Sequence, residues 1–300
     1  MMNLFIIVVM LFLGYGLGRL SILPKDAPHL LNKFVIYIAL PAMILIQVPK
    51  LTLNTDMMIP IAVSWIVMML LALIVWGVCR YMEFDKSTTG ALLLVAVLPN
   101  SSFLGIPIID ALYGGYALPY AVVYDQLGSF IALATYGTII LSIYSDKRAS
   151  LSKSILKIIT FPPFVTLIIA LLISMANIEY YSIVTDILTL LSNLIMPAAL
   201  LAVGIQLQFR LPSHEVTPLG VALILKLMIS PLIAILVCYI FDWDNLASEI
   251  SIIESGMGPM ISAAALASLA GLSPRLTSAI VGYGILLSLV TVSFIFFVVL

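Results

Sequence analysis

Apolar stretches separated by short polar segments follow one another along the whole chain. Ten of them have the length of about 20 residues that a helix needs to cross a bilayer. These stretches, called spans 1 to 10, cover residues 3–19, 29–48, 57–79, 87–112, 117–144, 158–176, 183–207, 215–240, 246–271 and 275–299. The pattern therefore predicts an all-α membrane protein with ten transmembrane helices.

Span 4 is interrupted near its middle by Pro99. Proline removes a backbone donor and clashes with the preceding helical turn, so the helix has to break or kink there. Asn100, Ser101 and Ser102 come next, and these residue types favour the N-cap of a restarted half-helix. The amide groups at the start of a half-helix attract anions, which makes this break a candidate anion site.

Span 9 is interrupted in a similar way. Gly256, Gly258 and Pro259 lie within four residues, directly after Glu254 and Ser255. Freed backbone groups are tolerated in hydrocarbon only where protein or a wet cavity satisfies them. We therefore expect both breaks to lie inside the protein and to bind substrate together. The predicted binding residues in the two breaks are Pro99, Asn100, Ser101, Ser102, Ser255, Gly256 and Pro259.

Prolines also indicate an internal repeat. Pro41 in span 2 is matched by Pro197 in span 7, 156 positions later, and Pro119 is matched by Pro274 at almost the same offset. Each half of the predicted repeat contains five spans, and an odd number places the second copy upside down in the membrane. Inverted repeats with broken helices at matching positions are typical of secondary transporters. The predicted repeats are residues 1–145 and 158–300.

Charge gives an independent test of the span count. Only 9% of the residues are charged and 63% are apolar, whereas soluble domains contain about 25% charged residues. Of the 13 basic residues, Lys50 lies on one side and Lys226 lies inside span 8. The other eleven fall on the opposite side, which the positive-inside rule makes cytoplasmic; they are Arg19, Lys25, Lys33, Arg80, Lys86, Lys147, Arg148, Lys153, Lys157, Arg210 and Arg275. Both termini are thus predicted to lie outside the cytoplasm.

Three ionisable residues inside spans are further candidates, because each costs about 2.5 kcal/mol or more at a helix centre. Asp125, next to Gln126, lies in span 5, and Glu254 adjoins the break in span 9. Lys226 lies 11 residues into span 8, about 16 Å deep at 1.5 Å per residue. Two interpretations stay open: a buried pair of Lys226 with Asp125 or Glu254 that braces the bundle, or direct handling of substrate or protons.

Other functions find little support in the sequence. The scattered basic residues and the net charge of −1 do not suggest a nucleic-acid partner. Cys79 and Cys238 stand alone in apolar runs, and His29 and His214 have no zinc-type spacing, so no metal site is predicted. The chain lacks the motifs of intramembrane proteases. We predict no catalytic residues, no enzyme activity and no cofactor.

These motifs resemble the auxin efflux carrier family, which includes the plant PIN-like carriers and bacterial permeases for malate or malonate. The most specific match is residues 98–100, followed by 105–107 and 111–114. Supporting matches are residues 196–198 with 203–204, Lys226 with Pro231, and 255–256 with Pro259. The resemblance covers nearly the whole chain. This sequence differs from those of the plant carriers in two ways. It lacks their long central loop, and it has Glu254 and Ser255 where they have Pro and Gln.

The resemblance implies two inverted five-helix repeats whose broken helices 4 and 9 cross, a fold also seen in bile-acid transporters and antiporters. Spans 1, 2, 6 and 7 (about 3–48 and 158–207) would form a scaffold that dimerises through helices 2 and 7. Spans 3–5 and 8–10 (about 57–144 and 215–299) would form a mobile transport domain. Asn100 occupies the family's substrate-binding asparagine position, Gln126 a supporting polar position, and Lys226 a position that is often basic.

The sequence therefore leads to a hypothesis of a dimeric carrier in a prokaryotic inner membrane that moves a small carboxylate by an elevator mechanism. Lys226 would supply countercharge, and Asp125 or Glu254 would bind a proton. An alternative is a carrier or antiporter of another solute coupled to sodium or protons. More distant alternatives are a channel and a non-transporting sensor.

Overall fold

The structure is a computed structural model that describes residues 2–20, 23–24, 26–50, 55–145, 160, 162–176, 178, 180–206 and 215–299. Over these ranges the chain is helical, and the only β-type contact is an isolated antiparallel bridge between Pro99 and Pro259. Several residues used to predict the orientation and the absence of a metal site lie outside the described residues; they are Lys25, Lys147, Arg148, Lys153, Lys157, Arg210 and His214.

Twelve helical segments occur in the described residues, at the positions of the predicted spans. They are α1 Met2–Arg19, α2 Ala27–Ile46, α3 Thr55–Tyr81, α4 Lys86–Val95, α5 Ser101–Leu112, α6 Gly115–Tyr144, α7 Pro162–Met175, α8 Ser182–Ile205, α9 Val216–Ile240, α10 Leu246–Ser255, α11 Ile261–Leu269 and α12 Pro274–Phe297. Of these described helices, α2, α3, α6, α8, α9 and α12 are long and apolar enough to cross a membrane. Spans 4 and 9 are each divided into two helices, as the sequence predicts. The number of membrane crossings stays a prediction.

Helices α1, α2, α7 and α8 pack against one another, and α1 lies along α8 at very short range. The close approach depends on glycines: a Cβ on Gly204 would overlap the carbonyl oxygen of Leu11 and lie 2.9 Å from the Cα of Gly14. Small residues allow helix backbones to approach in this way. This group comprises the segments predicted to form the scaffold, and the division into scaffold and transport domain stays a prediction.

The same tight turn joins α3 to α4 and α9 to α10. Glu83 and Asp242 both have positive φ angles, of 54° and 56°, and lie 159 positions apart. In each turn the next residue, Phe84 or Trp243, donates its amide to the carbonyl five positions earlier, at 3.0 and 2.9 Å. Non-glycine residues rarely adopt positive φ, so the recurrence of this conformation at matching positions is a specific similarity between the two halves of the chain.

Candidate functional site at the two broken helices

The connections between α4 and α5 and between α10 and α11 lie directly against each other. The amide of Asn100 donates to the carbonyl of Gly258 at 2.8 Å, and the amide of Met260 donates to the carbonyl of Leu98 at 3.0 Å. Pro99 and Pro259, which have no amide hydrogen, lie between these two bonds. Backbone groups that the helices leave free are thus paired across the junction, as burial requires. The structure brings the two predicted breaks together.

Lys226 reaches this junction from α9. Its side chain is fully buried, and its Nζ donates to the carbonyl oxygen of Ser255 at 3.1 Å and to that of Val97 at 3.5 Å. The hydroxyl of Ser230, one turn further along α9, donates to the same Ser255 oxygen at 2.8 Å. Ser255 ends α10, and Val97 follows the end of α4. The ammonium group therefore lies where the negative ends of two helix dipoles converge.

Asp125 attaches α6 to the first turn of α5. Its Oδ1 accepts hydrogen bonds from the hydroxyls of Ser101 at 2.6 Å and Ser102 at 2.5 Å, and its Oδ2 accepts one from the Gln126 amide at 2.5 Å. The three donors suit an ionised carboxylate, which only accepts. Asn100 occupies the N-cap position, but its side chain makes no capping bond. The predicted N-cap position is therefore confirmed for Asn100, but no side-chain capping bond forms there, and both serines donate to Asp125 instead.

Several buried polar atoms at the junction lack a hydrogen-bond partner among the described residues. They are Nδ2 of Asn100, Oε1 of Gln126, Oγ of Ser129 and both carboxyl oxygens of Glu254. A buried polar group without a partner is costly, by about 1–3 kcal/mol in proteins. Such groups call for an explanation, and a bound ligand, ion or water is the usual one. The junction thus offers both unused donors and unused acceptors.

Glu254 does not form the predicted bracing pair. It is fully buried, and both of its oxygens are unpartnered, while Lys226 donates to backbone carbonyls and Asp125 is held by its own three donors. The Glu254 carboxylate lies against Gly105 of α5, where a Cβ would overlap it. The physical reason is that helix-end carbonyls, which need donors, lie closer to the Lys226 ammonium than either carboxylate. The interpretation of a direct ion pair is therefore wrong.

A cavity of about 10 Å³ lies beside the junction, between α3, α6 and α9. This is about the space that one water molecule needs. Its polar lining combines Lys226 with three side chains that the sequence did not indicate, Ser64, Ser129 and Ser230. Ser230 follows Lys226 by four residues and so shares its helix face, a signal that could have identified it. Among the described residues, no group of three or more His, Cys, Asp or Glu residues could hold a metal ion.

The predicted site residues thus lie around one junction. Gly256 belongs to it as well: a Cβ at this position would lie 3.3 Å from the Ile295 side chain and 3.5 Å from that of Pro231. Chemically, the junction can hold a small anion through amide and hydroxyl donors with a cation nearby. It can also hold a cation or a proton at Glu254.

Comparison with known proteins gives matches over nearly the whole chain. The sequence model of the family described as membrane transport protein matches residues 1–296. A protein of Methanothermobacter thermautotrophicus named as an uncharacterized transporter is 26% identical over 287 residues, covering 95% of this chain and 93% of that protein. The uncharacterized transporter MJ1031 of Methanocaldococcus jannaschii is 26% identical over 262 residues, covering 84% of this chain and 83% of that protein.

Proposed function

Because the chain belongs to the membrane transport protein family, we propose that it is a secondary active or potential-driven transporter of a small organic anion. Family membership confirms the resemblance to the auxin efflux carriers and makes the chain an integral membrane transport protein. The proposed substrate class is a carboxylate of the auxin, malate or malonate type. A transport role also accounts for buried charged groups in apolar helices, which are costly and usually functional.

The side-chain amide of Asn100 carries this proposal. Its Nδ2 is buried, has no hydrogen-bond partner among the residues that the structure describes, and lies at the first position before α5. An unused donor there, beside the positive end of a half-helix, suits an acceptor with negative charge. A carboxylate fits these requirements, and the Lys226 ammonium contacts backbone carbonyls of the same junction.

The proposed site has to open before it can bind a substrate, because the cavity beside it is small. A cavity of about 10 Å³ is too small for any carboxylate, so binding requires opening beside the junction. We propose that α3 to α6 and α9 to α12 move as a transport domain against α1, α2, α7 and α8, in an elevator-type cycle. The paired turns at Glu83 and Asp242 support two inverted repeats with crossing helices, ten spans in all. Dimerisation through α2 and α8, an inner-membrane location and termini outside the cytoplasm complete the proposal.

A substrate screen followed by a transport assay tests this function. The purified protein is heated with mono- and dicarboxylates, indoles and amino acids, with and without sodium, at two pH values. The compounds that raise the unfolding midpoint are then offered to proteoliposomes. The proposal predicts a carboxylate among them, with saturable uptake and counterflow. Non-saturable flux would indicate a channel. Stabilisation only by compounds without a net negative charge, such as zwitterionic amino acids or indoles that lack a carboxylate, would contradict the proposed class of organic anions.

Glu254 favours a second candidate, coupling of transport to sodium or protons. A fully buried carboxylate without a partner is stable only if it is protonated or beside a cation. Uptake in proteoliposomes under a sodium gradient, a proton gradient or neither distinguishes these cases. Coupling predicts gradient-dependent uptake that Glu254→Gln uncouples, whereas the matched variant Glu249→Gln keeps it. An uptake rate that is the same with and without either gradient would contradict this candidate.

A further inference from the structure

A second pocket, of about 550 Å³, lies where α3 ends, α4 begins and α6 ends. Arg80 and Lys86 line it, and both are exposed. Glu83 contributes one carboxylate, so these three side chains carry a net charge of +1. Trp76 and Phe84 form part of its apolar wall. The pocket therefore combines cationic groups with aromatic surface.

Its position relative to the bilayer follows from α3. This helix has 27 residues and is strongly apolar, and Arg80 lies in its last turn. Such an arginine lies at the level of the lipid headgroups, and tryptophan favours the same level. Leu73 and Trp76 precede Arg80 on α3 and are 66% and 50% exposed, so a membrane-spanning α3 would present them to hydrocarbon. An amphipathic molecule could place a charged group in the pocket and its chains along this face of α3.

We propose that the pocket binds the headgroup of an anionic phospholipid. The Arg80 guanidinium and the Lys86 ammonium contact the lipid phosphate, because guanidinium binds phosphate with paired hydrogen bonds and ammonium binds it as a point charge. The acyl chains lie along the exposed apolar side of α3. Both cations belong to the side predicted to be cytoplasmic, where anionic lipids attract basic groups. A net charge of +1 matches the single negative charge of phosphatidylglycerol.

Native mass spectrometry of the full chain tests this site. The protein is reconstituted with phosphatidylcholine and phosphatidylglycerol, and the lipids that stay bound are counted. The double variant Arg80→Gln/Lys86→Gln is expected to bind phosphatidylglycerol at least tenfold more weakly than the wild type, with phosphatidylcholine unchanged. The matched control is Lys33→Gln, which removes an exposed cation of α2 outside the pocket and should bind like the wild type.

Two results would overturn the proposal. One is equal retention of phosphatidylglycerol by the double variant and by Lys33→Gln. The other is full displacement of the lipid by inorganic phosphate, which would make the pocket a site for soluble anions. If the double variant fails to fold, Glu83→Gln replaces it: removing the carboxylate raises the net charge to +2 and should tighten binding, and unchanged or weaker binding refutes the site.

Discussion

The Nζ of Lys226 lies 3.1 Å from the carbonyl oxygen of Ser255, the last residue of α10. The same nitrogen lies 3.5 Å from the carbonyl oxygen of Val97, just after α4. Helix ends leave carbonyl groups without intrahelical partners, and a cation at a C-terminus also offsets the helix dipole. Lys226 thus holds together the two helix ends that lead into the breaks. The proposed role of Lys226 as a countercharge for the substrate comes in addition to this structural one.

Replacement of Lys226 should therefore weaken the fold even without substrate. Hydrogen bonds to charged groups contribute about 1.5–3 kcal/mol, so Lys226→Met is expected to lower the free energy of unfolding by about 2 kcal/mol. Thermal unfolding in detergent measures the change, with Lys33→Met as the exposed control. Unchanged stability together with lost substrate affinity would instead make Lys226 a countercharge for the substrate only.

The Asp125 network predicts a local effect on α5. Asparagine has one acceptor oxygen in place of two, so Asp125→Asn cannot accept from Ser101, Ser102 and Gln126 at once. We expect a loss of about 1–3 kcal/mol and faster hydrogen exchange at residues 101–105. The exposed Asp186 supplies the control, Asp186→Asn. Equal exchange at 101–105 in both variants would show that Asp125 does not hold this turn.

Two glycines allow a matched test of helix packing between α1 and α8. A Cβ at Gly204 would meet backbone atoms of α1, whereas a Cβ at Gly16 would meet nothing within 4 Å. Overpacking typically costs about 1–3 kcal/mol, so Gly204→Ala should lower the thermal midpoint. Gly16→Ala should leave it unchanged or raise it, because alanine favours helix by about 0.5–1 kcal/mol. Similar midpoints for the two variants would contradict this close contact.

The sequence was most informative where a single residue determines the backbone. Pro99 and Pro259 cannot continue a helical hydrogen-bond pattern, and both breaks occur where they were predicted. The recurring turn was not predicted, because Glu83 and Asp242 adopt positive φ without being glycine. Comparison of residues that lie 159 positions apart pairs Glu83 with Asp242, and this shared acidic residue is a signal that could have identified the turn.

Contacts between distant segments were the least predictable part of the site. The sequence places Lys226 deep in an apolar helix, but its carbonyl partners depend on how α9 packs over both breaks. A direct ion pair with Asp125 or Glu254 was one of the two interpretations that the sequence left open, and it does not form for that reason. The role of Ser101 and Ser102 also depended on α6, since Asp125 lies 24 and 23 positions away from them.

The central claim is that the side-chain amide of Asn100 binds a carboxylate. The substrate affinity of the Asn100→Ala variant tests this claim most directly. Calorimetric titration compares it with the wild type and with Asn193→Ala, a control at an exposed position in the middle of α8, outside the junction. We predict at least a tenfold loss of affinity, which corresponds to about 1.4 kcal/mol, in Asn100→Ala alone, with its thermal midpoint without substrate unchanged. Wild-type affinity in a folded Asn100→Ala protein would contradict the proposed site.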